Sequence, residues 1–165
     1  MKRILIVGAG GQIGSELTTY LRKIYGNDNV VATDVREGKQ LAESGPFEVM
    51  NALDANAMAE MVSRQKIDSI FNLVALLSAV GEAKPQTAWQ VNIGALMNSL
   101  EVARQYNCAL FTPSSIGAFG PSSPKDKTPQ DTIRNPRTMY GVTKVSGELL
   151  SDYYNIRFGV DTRSV

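Results

Sequence analysis

The feature that most constrains this chain is a glycine-rich turn close to its start. Ile4–Val7 is an uninterrupted apolar run, which is typical of a strand buried on both faces of a parallel sheet. Gly8, Gly11 and Gly14 follow at intervals of three, and the apolar positions between 15 and 25 then have helical spacing. A strand, a glycine turn and a helix in this order form the context of a dinucleotide-binding turn. The alternative is a glycine-rich connection that binds no ligand.

The three glycines have separate expected roles. Gly8 lets the chain turn off the strand, Gly11 leaves room for a pyrophosphate, and Gly14 lets the helix pack closely on the strand. The helix N-terminus would direct its free N–H groups at the phosphates. The spacing is G-x-x-G-x-x-G, since Ile13 stands where G-x-G-x-x-G needs glycine. We expect cofactor contacts from five residues of this turn: Gly8, Gly11, Gln12, Ile13 and Gly14.

The composition is that of an ordinary globular domain. The chain has 165 residues, of which 43% are hydrophobic and 20% charged, enough for one domain, 1–165, with a sizeable core. The net charge of +1 gives no electrostatic reason to expect nucleic acid or an anionic membrane as a partner. The apolar segments are too short or too interrupted to predict a signal peptide or a membrane span.

The absence of histidine excludes two classes of catalytic site. Without it the chain cannot form Ser–His–Asp or Cys–His catalytic sites, and a zinc site becomes less favourable; we expect no metal. Cys108 is the single cysteine and lies in an apolar segment, so we expect a buried thiol. One cysteine cannot form an intrachain disulfide, which agrees with a cytoplasmic location.

The chain alternates strands and helices, which predicts a doubly wound parallel α/β sheet in the order 3-2-1-4-5-6. Residues 29–34 form the second expected strand and 47–50 the third, while 36–46 read as a loop or weak helix. The fourth strand is expected at 69–75, followed by a polar loop at 76–84 and a long helix at 85–106. The fifth strand at 108–112 leads into a long loop at 113–135, a helix at 136–156 and a sixth strand at 160–165.

Further cofactor contacts are expected where the strands end. Asp34 lies twenty residues after Gly14, where a carboxylate accepts hydrogen bonds from the adenosine ribose and disfavours a 2′-phosphate. A turn aspartate is the alternative, and Arg36 keeps NADP open. Asp54 reads as a helix cap that could also approach the adenine. The remaining expected cofactor contacts are Leu73, Ala75 and Asn92.

The candidate chemistry lies after the fifth strand. Ser114 and Ser115 follow it, and Tyr140 and Lys144 lie four residues apart on the next helix, so they share one face. An ammonium group beside a phenol favours the phenolate, which would let Tyr140 act as a general base. Ser115 could bind the reacting oxygen. A tyrosine–lysine pair alone is weak evidence, but the glycine turn, Asp34 and the serines precede it in the expected order.

These motifs resemble those of the extended short-chain dehydrogenases/reductases, the class of NAD-dependent epimerases and dehydratases. The resemblance implies NAD as cofactor, Ser115, Tyr140 and Lys144 as catalytic residues, and Lys144 holding the nicotinamide ribose. A closer resemblance, to bacterial L-threonine 3-dehydrogenases, is carried by residues 75–79, 113–121 and 138–144. It implies oxidation of the threonine β-hydroxyl to 2-amino-3-oxobutanoate, with substrate contacts from Ser78, Ser115 and Tyr140.

Two departures and two alternatives accompany this resemblance. Asn72 stands where many members have histidine, and the chain stops at Val165, where members continue with a smaller substrate domain, so we expect a fragment of uncertain activity. The alternatives are a nucleotide-sugar epimerase or dehydratase, and an NAD-binding module without catalysis. In this family the helices at about 85–106 and 136–157 pair across a two-fold axis, which implies a homodimer.

Overall fold

A computed structural model describes residues 2–165 and shows a single six-stranded parallel sheet. The strands are β1 (Ile4–Val7), β2 (Val30–Asp34), β3 (Phe47–Val49), β4 (Ser69–Asn72), β5 (Ala109–Thr112) and β6 (Thr162–Ser164). Their order is β3-β2-β1-β4-β5-β6, and every neighbouring pair is parallel. The predicted doubly wound order is therefore confirmed.

Within the described residues, six α-helices connect these strands. They are α1 (Gln12–Tyr25), α2 (Lys39–Glu43), α3 (Ala55–Gln65), α4 (Ser78–Ala83), α5 (Pro85–Tyr106) and α6 (Met139–Phe158). Short 3₁₀ turns occupy Asn27–Asn29 and Ile116–Ala118. Among the helices within residues 2–165, none is long and apolar enough to cross a bilayer.

The sheet separates two buried clusters. On one face α1 and α2 cover the side chains of β1 and β2, in a cluster that includes Ile4, Ile6 and Leu21. On the other face α3, α5 and α6 cover the remaining strand side chains around Leu5 and Leu100. Because β1 is buried on both faces, its apolar run has no polar alternation, as expected of a central parallel strand.

Several element bounds differ from the expected ones. β4 ends at Asn72 instead of Ala75, because the Asn72 side chain accepts a hydrogen bond from the Val74 amide (3.2 Å) and turns the chain. Residues 78–83, expected as loop, form the short helix α4. The last helix begins at Met139, where the Thr138 side chain caps it by accepting from the Gly141 amide (3.0 Å).

Arg22 of α1 is buried beneath the second and third strands, with 3% of its surface exposed. Its guanidinium donates to the carbonyl oxygens of Leu41 and Pro46 (both 2.6 Å) and Val30 (3.3 Å), and to Ser44 Oγ (2.6 Å). Burial lowers the pKa of Arg22. One side chain thus joins α1, the start of β2, α2 itself and the segment between α2 and β3.

Candidate cofactor and active site

The glycine turn leaves β1 with a left-handed residue. Gly8 has φ = +87°, a conformation that L side chains rarely adopt. The amides of Gly8 and Ala9 both donate to the carbonyl oxygen of Thr33 (2.9 Å each), which ties the turn to β2. The turn is therefore fixed between two strands before α1 begins.

Gly14 and Gly11 meet different surroundings. A Cβ on Gly14 would lie 2.3 Å from the Gly8 carbonyl oxygen and 2.7 Å from Ala9 Cα, so α1 packs on the turn at a distance that only glycine allows. A Cβ on Gly11 would approach only the Gly8 oxygen, at 3.5 Å, among residues 2–165. Gly11 thus faces open space beside the helix N-terminus, which suits the close approach of a phosphate.

The N-terminus of α1 is suited to an anion. Within the described residues, no side chain caps this end and its first turn contains no acidic residue. Gln12 and Ile13 begin the helix and are exposed. Uncapped N–H groups and the positive end of the helix dipole favour a bound phosphate here. The cradle formed by the three glycines therefore fits the pyrophosphate of a dinucleotide.

Asp34 lies at the end of β2 and is held against the glycine turn. Its Oδ2 accepts from the Gly10 amide (2.9 Å), and its Oδ1 accepts from the Arg36 amide (3.2 Å). The side chain keeps 12% of its surface exposed, whereas the Arg36 side chain, 4.0 Å away, is 83% exposed. A Cβ on Gly10 would lie 2.8 Å from Asp34 Oδ2. Sequence reasoning missed Gly10, although it is a fourth glycine within the motif.

A cleft of about 370 Å³ opens between the glycine turn and the end of β4. Its walls contain Gly8, Gly11, Asp34, Leu73 and Ala75. Five of the expected cofactor residues therefore meet in one cleft. The ends of parallel strands are where open α/β sheets bind ligands.

Asp54 has a different place. Its Oδ1 accepts from the Ala57 amide (3.0 Å) and caps α3, so the capping interpretation accounts for this residue. The neighbouring cleft wall is formed by the residues just before it, Asn51, Ala52 and Leu53. The cap on α3 does not support an adenine contact from Asp54, and that contact stays a prediction.

Asn92 of α5 is buried and holds the far wall of the cleft. Its Oδ1 accepts from the Leu76 amide (2.7 Å), and its Nδ2 donates to the Leu76 carbonyl (3.1 Å) and to Thr143 Oγ1 (3.1 Å). These bonds explain why asparagine stands in the middle of a helix, where it is mildly unfavourable. Asn92 is placed to orient the loop beside the cofactor cleft.

Ser115 and Tyr140 lie on either side of Gly117. A Cβ built on Gly117 would lie 3.3 Å from Tyr140 Cδ1 and 3.4 Å from Ser115 Oγ, so both side chains approach one point. Ser115 Oγ accepts from the Gly117 amide (3.1 Å) and caps the 3₁₀ turn. A Cβ on Gly141 would lie 2.2 Å from the Gly117 carbonyl oxygen, so glycine is also required for α6 to reach this turn.

Lys144 is the third member of this group. Its Nζ donates to the carbonyl oxygen of Pro113 (2.7 Å) and lies 5.5 Å from the centroid of the Tyr140 ring. Burial lowers the pKa of Lys144. The end of β5 thus fixes the ammonium group near the tyrosine, and the structure brings the three expected catalytic residues together.

Ser78 has no contact with the other expected site residues among those described for residues 2–165. It begins α4 and is exposed. Helix α4 is linked to α6 because Glu82 Oε1 accepts from the Met139 amide (2.7 Å), one residue before Tyr140.

A second group of contacts lies behind the serines that follow β5. The Ser114 hydroxyl donates to Glu148, which also pairs with Arg134. Sequence reasoning assigned no role to Glu82, Glu148 or Arg134, since a single charged residue in a helix or loop gives no motif signal.

Comparisons with known proteins show the family of the chain. Residues 4–165 match the NAD dependent epimerase/dehydratase family. Curated relatives include uncharacterised epimerase/dehydratases of Staphylococcus saprophyticus, 56% identical, and Staphylococcus aureus, 57% identical. Each alignment covers 100% of this chain but only 52% of the relative. The chain therefore spans about half the length of these relatives.

Solved structures of similar fold are also covered over only about half of their length. An L-threonine dehydrogenase from Clostridium difficile is 55% identical with a TM-score of 0.97, covering 100% of this chain and 52% of that one. An L-threonine 3-dehydrogenase from Trypanosoma brucei is 42% identical with a TM-score of 0.94, covering 99% and 52%. A UDP-glucose 4-epimerase from Thermotoga maritima, 24% identical with a TM-score of 0.88 and coverage of 98% and 54%, shares the fold. With its glycine cradle, Asp34 and the Tyr140–Lys144 pair, the chain belongs to the NAD dependent epimerase/dehydratase family, and NAD is its cofactor.

Proposed function

We propose that the protein to which these residues belong oxidises the β-hydroxyl of L-threonine to 2-amino-3-oxobutanoate with NAD. The observation that carries this proposal is the convergence of Ser115 and Tyr140 on Gly117, with the Lys144 ammonium 5.5 Å from the tyrosine ring centroid. The likeness to L-threonine dehydrogenases at 55% identity supports threonine as the substrate.

Each catalytic residue has one task in this proposal. Bound NAD would supply the acceptor for the hydride that leaves the β-carbon. Tyr140, as phenolate, removes the proton of the β-hydroxyl. Ser115 donates a hydrogen bond to the same oxygen and holds it in place. Lys144, fixed by Pro113, favours the phenolate through its charge and is placed to bind the nicotinamide ribose.

The cofactor-binding residues divide into two groups. The glycine turn and the N-terminus of α1 would hold the pyrophosphate, with contacts from Gly8, Gly11, Gln12, Ile13 and Gly14. The Asp34 carboxylate, already placed against Gly10, would accept hydrogen bonds from the adenosine ribose. Leu73 and Ala75 would contact the nicotinamide half, and Ser78 at the start of α4 would contact the amino acid.

Substrate choice is tested by a direct comparison. The purified protein is incubated with NAD and either threonine or a UDP-hexose, while NADH absorbance and sugar epimerisation are followed. Production of NADH from threonine alone is the expected result. Epimerisation of the sugar without threonine oxidation would overturn the substrate assignment and leave the fold intact. Tight NAD binding with no turnover of either compound would favour a non-catalytic NAD-binding module.

We also propose a homodimer formed through α6. Leu149, Tyr153 and Ile156 are 59%, 53% and 85% exposed, and their spacing of four and three places them on one helix face. A second copy could bury this stripe across a two-fold axis. Sedimentation of the parent at tens of micromolar should show a dimer, and Tyr153→Glu should yield monomer. A monomeric parent would contradict the proposal. A monomer is the state described for one solved L-threonine 3-dehydrogenase, which is 43% identical to this chain.

A further inference from the structure

A buried chain of hydrogen bonds joins the cofactor cleft to the backbone of Tyr140. Leu76 lies in the β4–α4 loop (residues 73–77), lines the cleft, and is bonded through both its amide and its carbonyl to Asn92. Asn92 Nδ2 also donates to Thr143 Oγ1 (3.1 Å). Thr143 Oγ1 in turn donates to the Tyr140 carbonyl oxygen (2.8 Å). This series of hydrogen bonds therefore runs from one wall of the cleft, through α5, into the first turn of α6.

The two side chains in this series of hydrogen bonds are shielded from water. Asn92 is 8% exposed and Thr143 is 3% exposed. The Thr143 hydroxyl accepts one hydrogen bond and donates another, so each partner depends on it for a bond that water cannot readily replace. Such a buried and satisfied network has one preferred arrangement.

We propose that Thr143 is a positioning residue that sets Tyr140 relative to the β4–α4 loop. The proposal rests on the function proposed above, in which Tyr140 is the general base. Thr143 acts through two hydrogen bonds, one donated to the Tyr140 carbonyl oxygen and one accepted from Asn92. Its hydroxyl couples the loop beside the cofactor to the helix turn that carries the base.

The alternative is that Thr143 only stabilises the packing of α5 on α6. A packing role depends on the volume of the side chain, whereas a positioning role depends on its hydroxyl. Thr143→Val keeps the shape and removes the hydroxyl, and Thr143→Ser keeps the hydroxyl and removes a methyl group. Ser151→Ala is a matched control on the same helix, since Ser151 is buried and its Oγ has no hydrogen-bond partner within residues 2–165.

The first experiment measures kcat, KM for threonine and NAD affinity for these variants, with melting temperatures to correct for folding. We expect Thr143→Val to lower kcat about tenfold to a hundredfold with NAD affinity nearly unchanged, because displacements of about 1 Å can cost about a hundredfold. Thr143→Ser should remain within about twofold of the parent, as should Ser151→Ala. Equal losses in the valine and serine variants, or an unchanged kcat in Thr143→Val, would overturn the proposal. If Thr143→Val does not fold, Thr143→Ala takes its place beside Ser151→Ala.

A second measurement is independent of turnover. The ring signals of Tyr140 are observed by NMR with NAD bound, as the difference between the spectrum of each protein and that of its Tyr140→Phe counterpart. Loosening the first turn of α6 should displace the ring, so these signals should shift in Thr143→Val and stay near their parent positions in Thr143→Ser. Unshifted signals in Thr143→Val would contradict the positioning role. A shift in Thr143→Val in a protein that ignores threonine would instead support Thr143 while refuting the proposed function.

Discussion

Asp34 Oδ2 accepts a hydrogen bond from the Gly10 amide at 2.9 Å, which closes the end of β2 onto the glycine turn. The same carboxylate is the group expected to receive the adenosine ribose. Both functions use oxygens of one side chain, so the carboxylate is oriented before any cofactor binds.

The first prediction concerns the choice between NAD and NADP. Asp34→Ala should weaken NAD binding about tenfold to a hundredfold, since hydrogen bonds to charged groups contribute about 1.5–3 kcal/mol. The loss of negative charge, with the exposed Arg36 nearby, should improve NADP relative to NAD. Fluorescence titration with both cofactors measures this. Asp126→Ala, in the exposed long loop, should leave both affinities unchanged; equal NADP and NAD affinities in the parent would refute the role of Asp34.

The second prediction separates two glycines of the turn. Gly14→Ala should destabilise the fold by about 1–3 kcal/mol or more, because the new methyl group would lie 2.3 Å from a backbone oxygen. Gly11→Ala should change stability by less than about 1 kcal/mol, since its nearest contact is 3.5 Å away. NAD affinity should nevertheless fall in both variants. Urea unfolding beside NAD titration checks the pair, and tight NAD binding by Gly11→Ala would remove that residue from the phosphate site.

The third prediction concerns the proposed base. Tyr140→Phe keeps the ring and removes the proton acceptor, so kcat for threonine should fall by about 10²–10⁴, the range of general-base catalysis. Ser115→Ala should lower kcat less, because it removes one positioning hydrogen bond. Neither change should alter NAD affinity greatly. Threonine oxidation by Tyr140→Phe at the parent rate would show that another group accepts the proton.

The fourth prediction distinguishes Lys144 from Tyr140. Lys144→Met should reduce both turnover and NAD affinity, because one ammonium would serve the tyrosine and the ribose. A methionine of similar length keeps most of the buried aliphatic packing. Steady-state kinetics and calorimetric NAD titration measure the two effects separately. Unchanged NAD affinity would restrict Lys144 to its contact with Pro113 and its proximity to Tyr140.

The fifth prediction concerns alkaline stability. Burial, together with the hydrogen bond to Glu101, raises the pKa of Tyr154 from 10.0 to about 12. The folded protein therefore holds this proton more tightly than the unfolded chain, so its stabilising effect is full below pH 10 and is lost as pH rises to about 12. Tyr154→Phe should flatten this part of the curve of unfolding free energy against pH. Tyr20→Phe, at an exposed position of α1, should leave this slope as in the parent.

Much of the fold could be predicted from the sequence because its signals are local. The apolar run of β1 and the glycine spacing specify a strand and a turn without reference to the rest of the chain. The bounds of β4 could not be predicted in this way, since a side-chain bond from Asn72 ends the strand inside an apolar run. Helix α4 was missed because six residues carry too little periodicity.

The candidate site likewise contains residues that local motifs predict and residues that they do not. Ser115, Tyr140 and Lys144 belong to recognisable spacings, and the structure brings them together. Thr143 and Asn92 meet across 51 residues of sequence, so their hydrogen bond has no local signature. The same holds for Glu82 and the first amide of α6. Contacts of this kind depend on how helices pack, which single-residue patterns do not encode.

Arg22 determines what can be changed when the cofactor preference is re-engineered. Its guanidinium anchors the start of β2 at Val30, and Asp34 ends the same strand about 13 Å further on at the usual rise per residue. A lysine at position 22 would keep the positive charge but lacks the planar fork that reaches several carbonyl oxygens at once. Exchanges at Asp34 therefore act on a strand whose position is set from its opposite end, so cofactor selectivity can be altered at the ribose site while the sheet beneath it stays in register.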